Sequence, residues 1–249
     1  MKLNWTIALM CVATLTFVAC KDKNQPDEGG DDPDVEYTPL ISVNDNSVAD
    51  WDKLDPSNVA VSKATPNPLW DGVHMLKVYA DEVYINWMIV FDPVKYVKHR
   101  DVDVMHVFID IDHSTSTGGY FDLFKDACAD LMFEGSLYSE GAPINYAPSV
   151  YQWGGKVNGE GWESWGEAIG TIQAESQFVT DSILEVRVMK EKIPGKDKFS
   201  TEGFGFGITM TQNFEVSAVG FLPQGDTPNG ENIGRLNMLS VKFTKTMKK

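Results

Sequence analysis

The 249-residue sequence predicts an all-β protein folded as a single β-sandwich, and three observations lead there. Apolar residues make up 43% of the chain and aromatics 11%, enough to bury a core and to exclude a disordered protein. They fall in short runs punctuated by Gly, Pro, Asn and Asp, with no sustained helical period. No repeat and no linker interrupts the stretch from Tyr37 onward, so 37–249 reads as one domain.

The N-terminus is organised differently. Met1-Lys2 opens a charged region, Trp5–Ala13 is apolar, and Phe17-Val18-Ala19 leads directly into Cys20. The apolar run is broken by Thr14 and Thr16 and falls short of the ~18–20 residues of a membrane-spanning helix, so 1–19 reads as a cleaved signal peptide. Ala19-Cys20 resembles the lipobox of bacterial lipoproteins, which implies acylation of the Cys20 thiol. An ordinary leader with an incidental cysteine is the alternative. Removal of Lys2 with the leader takes the formal charge from −15 to −16. Residues 20–36 then form a lipidated cysteine and an acidic tether. Its seven acidic residues, with Gly and Pro and almost nothing apolar, cannot repay the entropy of ordering. Fully extended, 21–36 reaches about 55 Å. An acidic run just after the cysteine resembles the export signal of surface lipoproteins in glycan-foraging Gram-negative bacteria, which implies outer-membrane anchoring facing the cell exterior. A periplasmic spacer is the other reading.

The clearest strands are Val73–Ala80, Val83–Phe91, Val104–Asp112, Ile183–Met189, Gly203–Thr211, Val216–Leu222 and Asn237–Phe243. Seven or more strands with few helices argue for a sandwich. Asp122–Phe133 suits either a helical face or a strand; its second half is read as a strand. Cys128, between two alanines and with no companion histidine pattern, reads as a small buried hydrophobe.

Several stretches, in order, resemble the family 9 carbohydrate-binding-module-like sandwich. Ile41-Ser42-Val43-Asn44-Asp45 through Asp50-Trp51 is similar to the family's opening, with Asn46 where Gly is usual. The paired runs Leu76–Ala80 and Val83–Trp87 follow, then Phe108–Asp112 into Ser116–Gly119, Ala129–Gly135, Leu184-Glu185, Ile193-Pro194 and Val219–Pro223. The resemblance covers about four fifths of the mature domain and implies a glycan-binding β-sandwich with no catalytic role.

Three constellations carry chemistry. Alternation in Val104–Asp112 turns Met105, Val107, Ile109 and Ile111 to one face and His106, Phe108, Asp110 and Asp112 to the other. Asp110 and Asp112, roughly 7 Å apart beside a hydroxyl-rich loop, suit hard oxygen ligation of Ca²⁺, or else cap backbone N–H groups in a turn. An EF-hand is excluded, since Thr115 and Phe121 stand where Gly and Glu are required. On the strand reading Asp130, Met132 and Glu134 share a face and add two carboxylates to the sheet surface. Second, Tyr138–Trp165 packs six aromatics into 28 residues among glycines. Trp162, Trp165, Trp153 and Tyr151 are candidate stacking faces for sugar rings, Trp162 foremost, with Gln152, Asn158 and Glu163 placed to bond hydroxyls. Core filling is the competing role for each ring. Third, Gly203–Met210 sets Phe204, Phe206, Ile208 and Met210 on one face and bare glycines on the other, where a bulky neighbour such as Trp is expected to pack.

Other classes find less support. A pI near 4.6 repels phosphate backbones, so no nucleic-acid partner is expected. The four histidines lack zinc-ligand spacing. Asp101–His106 only faintly echoes the catalytic strand of laminarinase-type glycosidases, with all the outer catalytic glutamates missing, and no spacing predicts a pair of carboxylates facing each other across a bound sugar. The sequence therefore leads to a lipid-anchored, non-catalytic protein that binds oligo- or polysaccharide. The alternatives are an interaction lipoprotein packed on an outer-membrane partner, and a glycosidase or lyase.

Overall fold

In strand β4 (Val104–Asp110) the expected alternation is realised: Met105, Val107 and Ile109 are fully buried on one side, while His106, Phe108 and Asp110 point to the other. The computed structural model describes residues 37–64, 72–96, 104–119, 124, 128–157, 161–212, 217–224 and 237–245. Its other strands are β1 (Ala60–Lys63), β2 (Val73–Asp81), β3 (Tyr84–Phe91), β5 (Leu131–Ser136), β6 (Tyr138–Ser139), β7 (Ala142–Pro143), β8 (Ser149–Gln152), β9 (Gly170–Thr171), β10 (Glu175–Thr180), β11 (Ile183–Met189), β12 (Phe204–Gln212), β13 (Ser217–Leu222), β14 (Leu239–Val241) and β15 (Phe243–Thr244). The leader, Cys20 and the acidic tether lie outside the described residues, as do Asn158 and, within the ambiguous stretch 122–133, residues 122, 123 and 125–127.

Two sheets pack face to face. The first runs β1-β2-β3-β11-β10 and the second β13-β12-β4-β5-β8-β9, with β14 joined to β12. All pairings among these strands are antiparallel; the parallel pair is β15 on β2. The all-β sandwich expected from the sequence is the architecture observed. Asn237–Phe243, read as one strand, divides instead: β14 pairs within the second sheet and β15 within the first. The chain passes from sheet to sheet there, which a local pattern of apolar residues does not encode.

The inner faces meet around Trp87 of β3, which is fully buried with Phe206 of β12 5.6 Å away and Tyr146 at 6.3 Å in an edge-on contact. The Tyr146 hydroxyl donates to the Met105 carbonyl. Tyr146 and Tyr138, candidates within the aromatic cluster, therefore belong to the core.

The glycines of β12 do what the sequence implied, with one change of partner. Phe204, Phe206, Ile208 and Met210 line the core, and a Cβ on Gly207 would stand 2.6 Å from the Phe124 ring. The bulky neighbour is Phe124, not a tryptophan. Because a β-carbon there forces Phe124 or the strand to move, Gly207→Ala is expected to lower stability by about 1–3 kcal/mol in thermal or denaturant unfolding.

Candidate functional site

The outer face of the second sheet is where the candidate residues gather. Register places Phe108 beside Met132 and Met132 beside Tyr151, with His106, Glu134 and Ser149 in the parallel row. Phe108, Met132 and Phe221 make this face apolar too, so it must be covered. The cover comes from Phe124, from Trp153 and from a one-turn 3₁₀ helix, Trp162–Trp165. Gly161 and Gly166 bracket that turn at φ of 114° and 63°, a left-handed geometry that side chains rarely adopt.

The aromatic residues take graded positions. Trp165 lies 6.0 Å from Phe108 and is only 5% exposed, so it supports the layer and offers no free face. Trp153 meets Trp165 edge-on at 5.2 Å and is partly exposed. Its indole N–H donates to the Lys156 carbonyl, and its ring occupies the space left by Gly119, where a Cβ would sit 2.3 Å from it. Trp162 rests on His106 at 5.5 Å and Phe108 at 6.5 Å, with 53% of its surface in water. Beneath it His106 is buried and its Nε2 lies 3.1 Å from Glu134 Oε2. That contact holds the Glu134 carboxyl below its usual range.

At the end of β4 the chain turns, with His113 at φ 55°, and the turn folds Asp112 back toward Asp110. Asp130, just before β5, joins them: one carboxylate oxygen from each of the three lies within 4.8 Å of the others. Asp110 accepts from the Ser114 N–H, Asp130 from the Ile111 N–H, and the Thr117 hydroxyl reaches both oxygens of Asp112. Turn capping and a convergent oxygen set, alternatives at the level of sequence, thus coexist. Three such carboxylates can coordinate a divalent cation such as Ca²⁺. Burial, reinforced by Asp130 and Asp112, pushes Asp110 up to about 7; burial and then Asp112 push Asp130 up to about 6.

Asp112 and Asp130 also border a cavity of about 290 Å³ whose other walls include Trp153, Gln152, Thr117 and Lys198. The cavity therefore joins the carboxylates to the aromatic layer. Lys198 and Gly195 reach it from the segment following β11, which sequence reading did not connect to the site; the only sequence signal is the Gly195 turn after Pro194. Glu134, expected alongside Asp130, is instead engaged by His106. No family model and no curated protein matches this chain.

The carboxylates make a pH-dependent prediction. In the folded chain Asp110 and Asp130 retain protons up to about 7 and 6, whereas unfolded carboxyls lose theirs near 3.8. The folded state then binds more protons between about 4 and 7, so this contribution to stability declines as pH rises through that window. A cation that needs the ionised forms acts in the opposite direction. Millimolar Ca²⁺ is expected to raise Tm at pH 8 and much less at pH 5, and Asp130→Asn to remove the increment, as read by differential scanning calorimetry.

Proposed function

We propose that this chain is a non-catalytic, lipid-anchored outer-membrane protein facing the cell exterior, whose sandwich binds oligo- or polysaccharide on the outer face of the second sheet and aids capture for a neighbouring enzyme or transporter. One observation carries the reading: Trp162 is held half in water on a bed of buried rings, by a turn fixed between two left-handed glycines. Such a ring offers an apolar face to the C–H side of a pyranose without ordering cost at the moment of binding. The cavity bordered by Trp153, Gln152, Asp112 and Lys198 adds hydrogen-bonding groups on the same side of the sheet. The family 9 resemblance, the lipobox-like Ala19-Cys20 and the acidic tether support ligand class, anchoring and address in turn.

Two observations favour other readings. Exposed Val157 and Ile169 flank the same loop and suit an outer-membrane protein partner. Asp130, raised and lining a cavity, with raised Asp110 next to it, suits a glycosidase or lyase. The three carboxylates bring one oxygen each within 4.8 Å of the others, the arrangement of a cation-ligand set, so we rank catalysis last.

Trp162→Ala is expected to weaken retention on glycan-loaded gels by about 1–3 kcal/mol of binding with Tm unchanged. Trp165→Ala, a core truncation, is expected to cost about 3–5 kcal/mol of stability. If Trp162→Ala keeps wild-type retention on every glycan the native protein binds, the platform is wrong and the protein-partner reading moves ahead. For the anchor, Cys20→Ser is expected to abolish labelling by a fatty-acid analogue and release the protein from membranes; unchanged labelling rules lipidation there out.

A further inference from the structure

Among the described residues, the stretch 41–54 lies across the outer face of the first sheet. Ile41, Val43, Trp51 and Leu54 bury themselves against Tyr79 of β2 and Met88 of β3. Asn44 and Asn46 take φ of 78° and 59°, letting the stretch double back. Three polar latches hold it down. Asn46 N–H donates to Gln177 Oε1 while Gln177 Nε2 donates to Asn46 Oδ1; Arg187 Nη1 donates to the Ile41 carbonyl; and the Trp51 indole N–H donates to Glu185 Oε1 at 2.6 Å.

The third latch is unlike the others. Glu185 is 1% exposed, and its second oxygen, Oε2, is buried with no hydrogen-bond partner among the described residues. An ionised carboxylate has about four acceptor positions to satisfy, and here one donor is offered. The groups facing it do not supply the missing charge. Its strand neighbours at the same register are Met88 on β3 and Gln177 on β10, with Lys77 on β2 beyond Met88. From the covering stretch come Asp45 and Asp50, which oppose ionisation, while Lys53 is engaged by Asp50. Arg187, two residues along β11, is committed to Glu175 and the Ile41 carbonyl and stacks on Tyr84. Burial, with the two aspartates adding and the Trp51 bond partly offsetting, raises Glu185 to about 7.

We infer that residues 41–54 are a pH-gated strap: protonated Glu185 keeps the strap seated on the first sheet, and release of that proton to solvent lifts it and uncovers the apolar surface of Tyr79 and Met88. The sign follows from the burial. An open strap exposes Glu185 to water, where its proton leaves at an ordinary carboxyl pH, so the seated form holds the proton more tightly and weakens relative to the open form as pH rises from about 4.5 to 7.

The test is hydrogen exchange by mass spectrometry on the full chain at pH 5 and pH 8.5, corrected for intrinsic exchange, with Glu185→Gln as the variant. The amide of glutamine keeps the acceptor for Trp51 but cannot ionise. Wild type is expected to lose about a hundredfold more protection in 41–54 than in β4 at the higher pH, and Glu185→Gln is expected to lose in 41–54 only what β4 loses. Equal loss in strap and β4, or the same loss in the variant, overturns the inference. Should the variant not fold, carboxyl ¹³C NMR of the wild type decides: a Glu185 midpoint near 7 accompanied by strap opening supports the gate, and a midpoint below 5 overturns it.

Discussion

The second sheet is apolar on both faces, and much of the structure follows from covering it twice. Its inner face is closed by the first sheet, as in any sandwich. Its outer face carries Phe108, Met132 and Phe221, and each large side chain left in water would forfeit about 1.5–3 kcal/mol. Phe124, Trp153 and the Trp162–Trp165 turn are therefore drawn across it, and the glycines at 119 and 207 let rings approach the backbone. Trp162 is the outermost of these described rings, with about half of its surface in water. The candidate binding surface is thus a consequence of how the fold finishes its packing.

The buried carboxylates on the two outer faces follow one rule with different results. Removing a carboxyl from water without a cation raises its hold on the proton, and this happens at Asp110 and Asp130 on one side and at Glu185 on the other. On the second sheet three carboxylates converge, and a divalent cation can satisfy them together. On the first sheet Glu185 has one indole donor among the described residues and no cation beside it there, so a proton neutralises it. The same desolvation leads to a potential metal centre where groups converge and to a proton-dependent latch where they do not.

Much of the fold is legible in the sequence because strand alternation is local. The period of two in 104–110 and in 204–210 assigns core and outer faces without knowledge of any partner. Short elements were not legible: β1 and β8 have four residues each, too few to establish a period, and β10 carries polar residues at four of its six positions, so their pairing depends on neighbours. The split of the C-terminal segment between two sheets likewise has no local signature.

The aromatic run 138–165 and the aspartates at 110, 112 and 130 were visible as residue types suited to stacking and ligation. By itself the sequence determined that this is an all-β chain, which faces of its long strands are apolar, and that carboxylates recur along 110–134 and rings along 138–165. Only the tertiary structure decided which tryptophan is exposed, since Trp165 is buried by Phe108 from a strand more than fifty residues away while Trp162, three residues earlier, is not. Only it decided that Asp130 meets Asp110 and Asp112 and that Glu185 lies under Trp51, because burial and charge depend on groups brought together across the chain, and no local pattern records them.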